Sequence, residues 1–115
     1  MEITVAHMTR NNHTGTLSFS DVAIVTAPEG LSRMDALEYA FRWTNNLDGS
    51  WSLGEEFCIG GHLFDNPDYN KDVRVLSKRP DGLGLRSTSM FDRMTIDKTV
   101  YEVSGCGFEI VEERA

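Results

Sequence analysis

The sequence predicts an α+β domain in which a small, mostly antiparallel sheet packs against one amphipathic helix. Closure of this sheet into a barrel-like form is one arrangement that the sequence allows. Three observations lead to this prediction. Short segments with strand-like alternation recur along the chain of 115 residues. Only one stretch, residues 32–46, has helical spacing together with a start and a stop signal. Strands dominate the chain, and one long helix is inserted early, which is typical of an α+β domain.

The length and composition indicate one domain covering residues 1–115. Hydrophobic residues make up 40% and charged residues 25% of the chain, as in ordinary globular proteins. No apolar run approaches the roughly 18 residues that span a bilayer, and the first residues lack the features of a secretion signal. The two cysteines, Cys58 and Cys106, are too few for a disulfide framework, so we expect free thiols in a reducing cytoplasm.

Two strands are predicted before the helix. In residues 2–8, Ile3 and Val5 alternate with polar or small residues, which is typical of a half-buried strand. Residues 17–27 form a second strand whose alternation slips around Ser20 and Asp21, and this slip indicates a β-bulge or a short break.

The helix has a clear N-terminal signal. Ser32 is a good N-cap, and Asp35 three residues later places a carboxylate in the first turn, close to a capping box. The apolar positions then recur at helical spacing. Asn45 and Asn46, which tolerate the left-handed conformation, are expected to close the helix.

The second half of the chain is predicted to contain shorter strands. Residues 57–59 are either a short strand or part of a loop insertion, and residues 62–70 are rich in turn signals. Four further strands are expected, the second and third joined as a hairpin at residues 97–99: 73–76, 93–96, 100–103 and 108–111.

The charge distribution restricts the partners. The net charge of −7 argues against nucleic acid and against anionic membranes, because binding to phosphates requires clustered lysine and arginine. Residues 71–98 differ from the rest, with seven basic and four acidic side chains. This basic segment either faces an anionic ligand or carries ordinary solvated loop charges.

The most suggestive polar cluster is RSTSMFD at residues 86–92. Its five polar members could hold a phosphate or a carboxylate: Arg86, Ser87, Thr88, Ser89 and Asp92. The same side chains could instead cap turns, with Asp92 tying the loop to the following hairpin. Both interpretations are open from the sequence.

Three aromatic residues are the candidate contacts for a protein partner. Tyr39 and Trp43 lie one helical turn apart, outside the main apolar stripe, and could line a groove beneath the loop that carries Trp51. The alternative interpretation is that Trp43 and Trp51 form the rim of the core.

No motif for catalysis or for a cofactor is recognised. The chain lacks the nucleophile motif G-x-S-x-G, and its glycine pairs do not match a phosphate-binding loop. Cys58, His62, Asp65 and Asp68 do not have the paired spacing of a structural zinc site. We therefore expect a protein that is not an enzyme and needs no metal or cofactor.

Several segments resemble a family of small proteins encoded by tailed bacteriophages. The resemblance covers the chain from the helix onward and rests on WTNNLDGSWS at 43–52, NPDYN at 66–70, VRVL at 73–76, RSTSMFD at 86–92 and VYEVSGCGFE at 100–109. The family pattern has glycine where this chain has Phe91, so a loop opened by the phenylalanine is expected in place of a tight glycine turn.

The resemblance implies a phage accessory protein that acts in the cytoplasm of the host bacterium. Small acidic proteins of this kind bind a host enzyme or block a host defence, so we expect a host bacterial protein as the partner. The alternative is a binding protein for a small anionic ligand or nucleotide that uses the RSTS segment.

Overall fold

The computed structural model describes residues 1–114, which form eight strands and one helix. The elements in chain order are β1 (Glu2–Arg10), β2 (Leu17–Thr26), α1 (Arg33–Trp43), β3 (Glu56–Ile59), β4 (His62–Asp65), β5 (Val73–Val75), β6 (Arg93–Ile96), β7 (Thr99–Ser104) and β8 (Gly107–Glu113). The predicted combination of an antiparallel sheet with one helix is therefore confirmed.

Six of the strands form one antiparallel sheet in the order β5-β2-β1-β6-β7-β8, and β3 and β4 form a separate hairpin. The sheet is not a closed barrel, so the expected barrel-like closure is wrong. Closure would require β5 to pair with β8, but these strands lie at opposite ends of the strand order. The sheet consequently has two free edges.

The bulge predicted in the second strand is present. The register between β1 and β2 shifts between Val5, which pairs with Ala23, and Ala6, which pairs with Asp21. Val22 is therefore the extra residue. Since Val22 is buried, the bulge keeps an apolar side chain in the core after the change of register.

The helix begins where the sequence predicts and ends earlier. Ser32 is the N-cap, and its hydroxyl accepts a hydrogen bond of 3.1 Å from the backbone N–H of Asp35. The last helical residue is Trp43, because the hydroxyl of Thr44 bonds the carbonyl of Ala40 and the next residues enter a loop. Within residues 1–114, no helix is long and apolar enough to cross a membrane.

The molecule has two layers and measures 48 × 44 × 24 Å. Ala36, Leu37 and Ala40 of α1 pack into one core with Ile3 and Val5 of β1. Met34, an apolar residue in the first turn of α1, is 49% exposed. The opposite face of the sheet is polar around Arg93, whose guanidinium lies 4.1 Å from the centre of the Phe19 ring.

The β3–β4 hairpin is the main difference between the predicted and the observed secondary structure. Residues 57–59 form a strand, and the next segment, expected to be turn-rich, provides its partner. Gly60 and Gly61 both have positive φ, at 59° and 83°, and make the two-residue turn that joins the strands. The last strand also continues to Glu113, beyond the predicted end at residue 111.

Candidate functional site

Three loops meet beside the end of α1, and they contain three of the segments quoted above for the resemblance. Residues 44–52 lie against residues 85–88 and are joined to them by several hydrogen bonds. Asn46 donates from its backbone N–H to the hydroxyl of Ser87 at 2.8 Å and from its side chain to the carbonyl of Leu85 at 3.0 Å. Trp51 Nε1 donates to the carbonyl of Arg86 at 2.8 Å. We call this region the loop cluster.

Asp92 is a buried side chain of the loop cluster whose two carboxylate oxygens both accept hydrogen bonds. It is 1% exposed and forms a two-bond ion pair with Arg86, at 2.6 Å to Nη1 and 2.8 Å to Nη2. The backbone N–H groups of Met8 and Ser89 each donate to this carboxylate at 2.8 Å. Burial by itself raises the pKa of Asp92, but these hydrogen bonds hold it below its ordinary value.

Arg86 is the accessible half of this ion pair, with 47% of its side chain exposed. Its Nη2 also donates to the carbonyl of Met8 at 3.1 Å, so the guanidinium ties β1 to the RSTS segment. Ser89 is exposed, with its hydroxyl 3.4 Å from Arg86 Nη1, whereas Ser87 accepts a hydrogen bond from Asn46. An anion approaching Arg86 would therefore find both Nη groups of the guanidinium already bonded to Asp92, so the usual pair of parallel hydrogen bonds is not open to it.

A buried histidine continues the polar network, and the sequence did not suggest a partner for it. Thr44 donates its hydroxyl to the carbonyl of Ala40 at 2.8 Å, and Thr88 donates to Thr44 at 2.9 Å. The oxygen of Thr88 is then left to accept a hydrogen bond of 2.9 Å from Nε2 of His7. Burial lowers the pKa of His7 to about 4, although the neighbouring Asp92 carboxylate acts in the opposite direction. His7 is thus neutral at pH 7.

The low pKa of His7 predicts a loss of stability in mild acid. Between pH 6.5 and about 4 the unfolded chain binds a proton that the folded chain does not, so the free energy of unfolding falls. The loss attributable to His7 is about 3 kcal/mol across this interval. Urea unfolding at several pH values should show it, and His7→Gln, which keeps an N–H donor, should remove most of it.

The matched control for this prediction is His13→Gln, in the exposed turn between β1 and β2. It should leave the pH dependence of stability as it is in the wild type. If His7→Gln and the wild type lose the same free energy between pH 6.5 and pH 4, the buried neutral state assigned to His7 is wrong.

A second buried carboxylate, Asp68, holds the other side of the loop cluster. One of its oxygens accepts three backbone hydrogen bonds, from Leu47 at 2.8 Å, Asp48 at 3.0 Å and Gly49 at 2.7 Å. Arg42 Nη2 lies 3.3 Å from the other oxygen. Burial opposes ionisation, but the three N–H groups and Arg42 keep the pKa of Asp68 lowered.

Asn66 completes the attachment of the loop that carries Trp51. Its side chain accepts from the N–H of Ser50 at 3.0 Å and donates to the carbonyls of Ser50 at 2.6 Å and Gly54 at 2.9 Å. Gly49 is required here because a Cβ at this position would collide with the side chain of Asn66. The Asn-Pro-Asp signal at 66–68 predicted a turn, but its role in binding another loop was not visible in the sequence.

The three aromatic residues expected to contact a partner have different environments. Trp51 is 1% exposed and packs with its ring 6.1 Å from that of His7, so it offers a partner no surface in this conformation. Tyr39 is partly buried, and its hydroxyl accepts from Asn70 at 2.9 Å. Trp43 is also partly buried, beneath the guanidinium of Arg42 at 4.1 Å. The alternative placed Trp43 and Trp51 at the rim of the core, but Trp51 lies inside the core itself.

Phe91 occupies a position that favours glycine. Its φ is 74°, and the N–H of Asp92 donates to the carbonyl of Ser89 at 3.1 Å, which closes a tight turn. The turn expected to be opened by the phenylalanine is therefore retained. The reason is that the N–H of Phe91 and the carbonyl of Asp92 both bond Val103 at 2.9 Å, which fixes the backbone on either side.

Phe91→Gly is expected to raise the free energy of unfolding by about 1 kcal/mol, because it removes the strain of a left-handed conformation at an exposed side chain. Thermal and urea unfolding measure the change. Met90→Gly is the control, since Met90 is equally exposed but does not have positive φ, and it should be slightly destabilising. Equal effects of the two variants would contradict the strain assigned to Phe91.

An apolar groove of about 590 Å³ lies near the loop cluster, between the C-terminal half of α1 and the β7–β8 hairpin. We call it the α1–β8 groove. Phe41 and Phe108 contact each other edge to face within it, with ring centres 6.2 Å apart. Leu47, 63% exposed, lies on its rim, and Glu38 and Arg42 supply the charged groups of its wall.

The polar groups of the loop cluster are suited to holding loops together. Asp92, Asp68 and Asn66 are buried acceptors whose donors come from other segments of the same chain. Across residues 1–114, no three His, Cys, Asp or Glu side chains are grouped in a way that could hold a metal ion. The surface that remains for recognition of another molecule includes the exposed side of Arg86 and the α1–β8 groove.

Comparisons with protein-family models, curated proteins and solved structures found no match. The structure defines the class of the protein as a two-layer α+β domain with an open antiparallel sheet.

Proposed function

We propose that the chain is a non-enzymatic binding protein of a bacterial virus and that its partner is a protein of the host bacterium. The observation that carries the proposal is the α1–β8 groove, whose wall is largely apolar and which no other segment among residues 1–114 covers. Exposed apolar grooves are a common site of protein association. The phage context comes from the resemblance of the sequence segments and is part of the proposal.

The arrangement of the loop cluster supports binding over catalysis. A catalytic acid or base must reach a substrate, but Asp92 and Asp68 are each 1% exposed and accept hydrogen bonds from backbone groups. His7 is 7% exposed and bonded to Thr88. These groups stabilise the loops beside the groove, and a rigid wall reduces the entropy lost when a partner binds.

The proposal is tested by capturing partners from bacterial lysates with the tagged protein and quantifying them by mass spectrometry. Leu47→Lys places a charge on the groove rim and should abolish capture of a specific partner. The control is Leu83→Lys, whose side chain is 62% exposed, nearly the same as the 63% of Leu47, but lies in the loop between β5 and β6. Leu83→Lys should retain the partner. A search across several host species that yields no saturable partner would count against the proposal.

The alternative function is binding of a small anion or nucleotide by Arg86, Ser87, Thr88, Ser89 and Asp92. A thermal-shift screen with inorganic phosphate and nucleotides distinguishes the two functions. A ligand present at about 100 times its dissociation constant should stabilise the fold by about 2.7 kcal/mol. We expect no such shift, because Asp92 already occupies the guanidinium of Arg86. A shift that Arg86→Ala abolishes would establish the alternative.

A further inference from the structure

We infer that the outer edge of β8, together with the α1–β8 groove, binds an extended segment of the partner protein whose side chains alternate between apolar and basic. This inference rests on the proposed function and specifies the partner chemically. The segment would add a seventh strand to the sheet, with hydrogen bonds from its backbone and apolar side chains directed toward the groove.

β8 forms a long free edge of the sheet. β8 covers Gly107–Glu113, seven residues at one end of the strand order, whereas β5 at the other end covers only three. Alternate residues of β8 direct their N–H and C=O groups away from β7. Short edge strands resist pairing with other chains, but β8 offers donors and acceptors on both sides of the single bulge at Val111.

The apolar side chains of β8 lie on the face of the sheet that borders the α1–β8 groove. Phe108 pairs with buried Val103, and Ile110 pairs with buried Tyr101, so both lie on the face of the sheet that α1 covers. The helix does not extend over Ile110, which is 57% exposed. An added strand would place alternate side chains on this same face, beside Ile110 and toward Phe41 and the groove.

The edge formed by β8 carries several acidic side chains. Glu109, Glu112 and Glu113 are exposed along β8, and Glu38 lies on the groove wall. The arginines near this edge are paired with carboxylates: Arg114 lies 3.4 Å from Glu112, Arg42 lies 3.3 Å from Asp68, and Arg33, which also interacts with Glu113, lies 3.4 Å from Asp97. The edge is therefore acidic, within a chain of net charge −7, and it favours lysine or arginine on the incoming strand.

The same charges disfavour a second copy of this chain as the occupant. Antiparallel pairing of two β8 strands would bring glutamates of one copy close to glutamates of the other. Like charges on directly opposed strands are destabilising. A hetero-partner of opposite charge has no such penalty.

The test uses a fluorescent peptide of sequence acetyl-Lys-Val-Lys-Ile-Lys-Val-Lys-amide and measures its binding to the full chain by polarisation. Binding should slow hydrogen exchange at alternate amides of β8. Methylation of the peptide's alternate backbone nitrogens keeps its charge but removes donors on one edge, and it should abolish binding. Equal binding of the methylated peptide would overturn strand addition.

Two charge-reversal variants separate the edge from general electrostatics. Glu109→Lys with Glu113→Lys, and Glu55→Lys with Glu56→Lys, each change the net charge from −7 to −3. The β8 pair should weaken peptide binding at least about tenfold, while the pair beside β3 should have a much smaller effect. Equal weakening by both pairs would overturn the assignment to β8. Sedimentation that shows a dimer of the wild type, and loss of this dimer in the β8 variant, would also overturn the inference. It would identify a second copy of the chain as the occupant of the edge.

Lysate capture distinguishes failure of this inference from failure of the proposed function. If a host protein is retained equally by the wild type and by the β8 charge-reversal variant, the partner binds elsewhere and only the inference fails. If no host protein is retained at all, the proposed function fails. Loss of the captured protein with the β8 variant, but not with the Glu55 and Glu56 variant, supports both.

Discussion

Replacing Asp92 with alanine is expected to lower the free energy of unfolding by about 3–5 kcal/mol, the largest effect of any single substitution proposed for this protein. The carboxylate is 1% exposed and accepts bonds from Arg86 and from the backbone of Met8 and Ser89. Its removal leaves these donors unpaired, some of them away from water. For a domain of this size the melting temperature should fall by about 10–25 °C.

The control for Asp92→Ala is Asp81→Ala. Asp81 also pairs with an arginine, Arg79, at 2.5 Å, but both side chains are nearly half exposed. Exposed ion pairs contribute little to stability, so Asp81→Ala should be close to neutral. Urea unfolding measures both variants. A loss of less than about 1 kcal/mol for Asp92→Ala would show that this ion pair does not hold the RSTS segment to β1.

The lowered pKa of Asp92 also predicts an acid dependence. Its contribution to stability is complete above the pKa of an unfolded aspartate, and it is lost as the pH falls through the lower pKa of the folded state. The wild type should therefore be less stable in acid, and Asp92→Asn should show a smaller decrease over the same range. Identical pH profiles would contradict the assignment.

Asp68→Ala is expected to have the second-largest effect, a loss of about 2–4 kcal/mol. One oxygen of Asp68 bonds the backbone N–H groups of three successive residues, Leu47, Asp48 and Gly49. Removing it also leaves Arg42, which lies on the groove wall, without its carboxylate. The loop carrying Trp51 should therefore become less ordered, which hydrogen exchange at residues 47–51 would detect.

Asp48→Ala provides the matched control for Asp68→Ala. Asp48 is in the same loop and has the same side chain, but it is exposed, and the variant keeps the backbone N–H that donates to Asp68. Its unfolding free energy should stay within about 0.5 kcal/mol of the wild type. If the two aspartate variants lose equal stability, the three backbone bonds do not account for the role of Asp68.

These two carboxylates connect stability with the proposed function. Asp92 fixes the RSTS segment to β1, and Asp68 fixes the loop whose Leu47 borders the α1–β8 groove. Variants of either residue should weaken partner binding indirectly by loosening the loops. Substitutions on the groove rim and on β8 are therefore the better tests of recognition, because those side chains are exposed.

The candidate site was predictable only in part. The sequence identified the RSTS segment and left open whether its polar groups bind a ligand or cap the backbone. The structure gives Asp92, Thr88 and Ser87 partners within the chain, while Arg86 and Ser89 keep exposed surface. His7 had no predicted role, because its hydrogen-bond partner Thr88 lies 81 residues away in the sequence.

Local sequence patterns were enough to predict the helix start at Ser32, the bulge in β2, the β6–β7 hairpin and the α+β class. These features depend on capping, alternation and turn chemistry, which act over a few residues. Contacts between distant segments leave the sheet open, bury Trp51, and give Asp68 and Asp92 their partners in loops far away in the chain. Strand order and buried polar partners depend on contacts between distant segments, and local sequence patterns do not encode which segments meet.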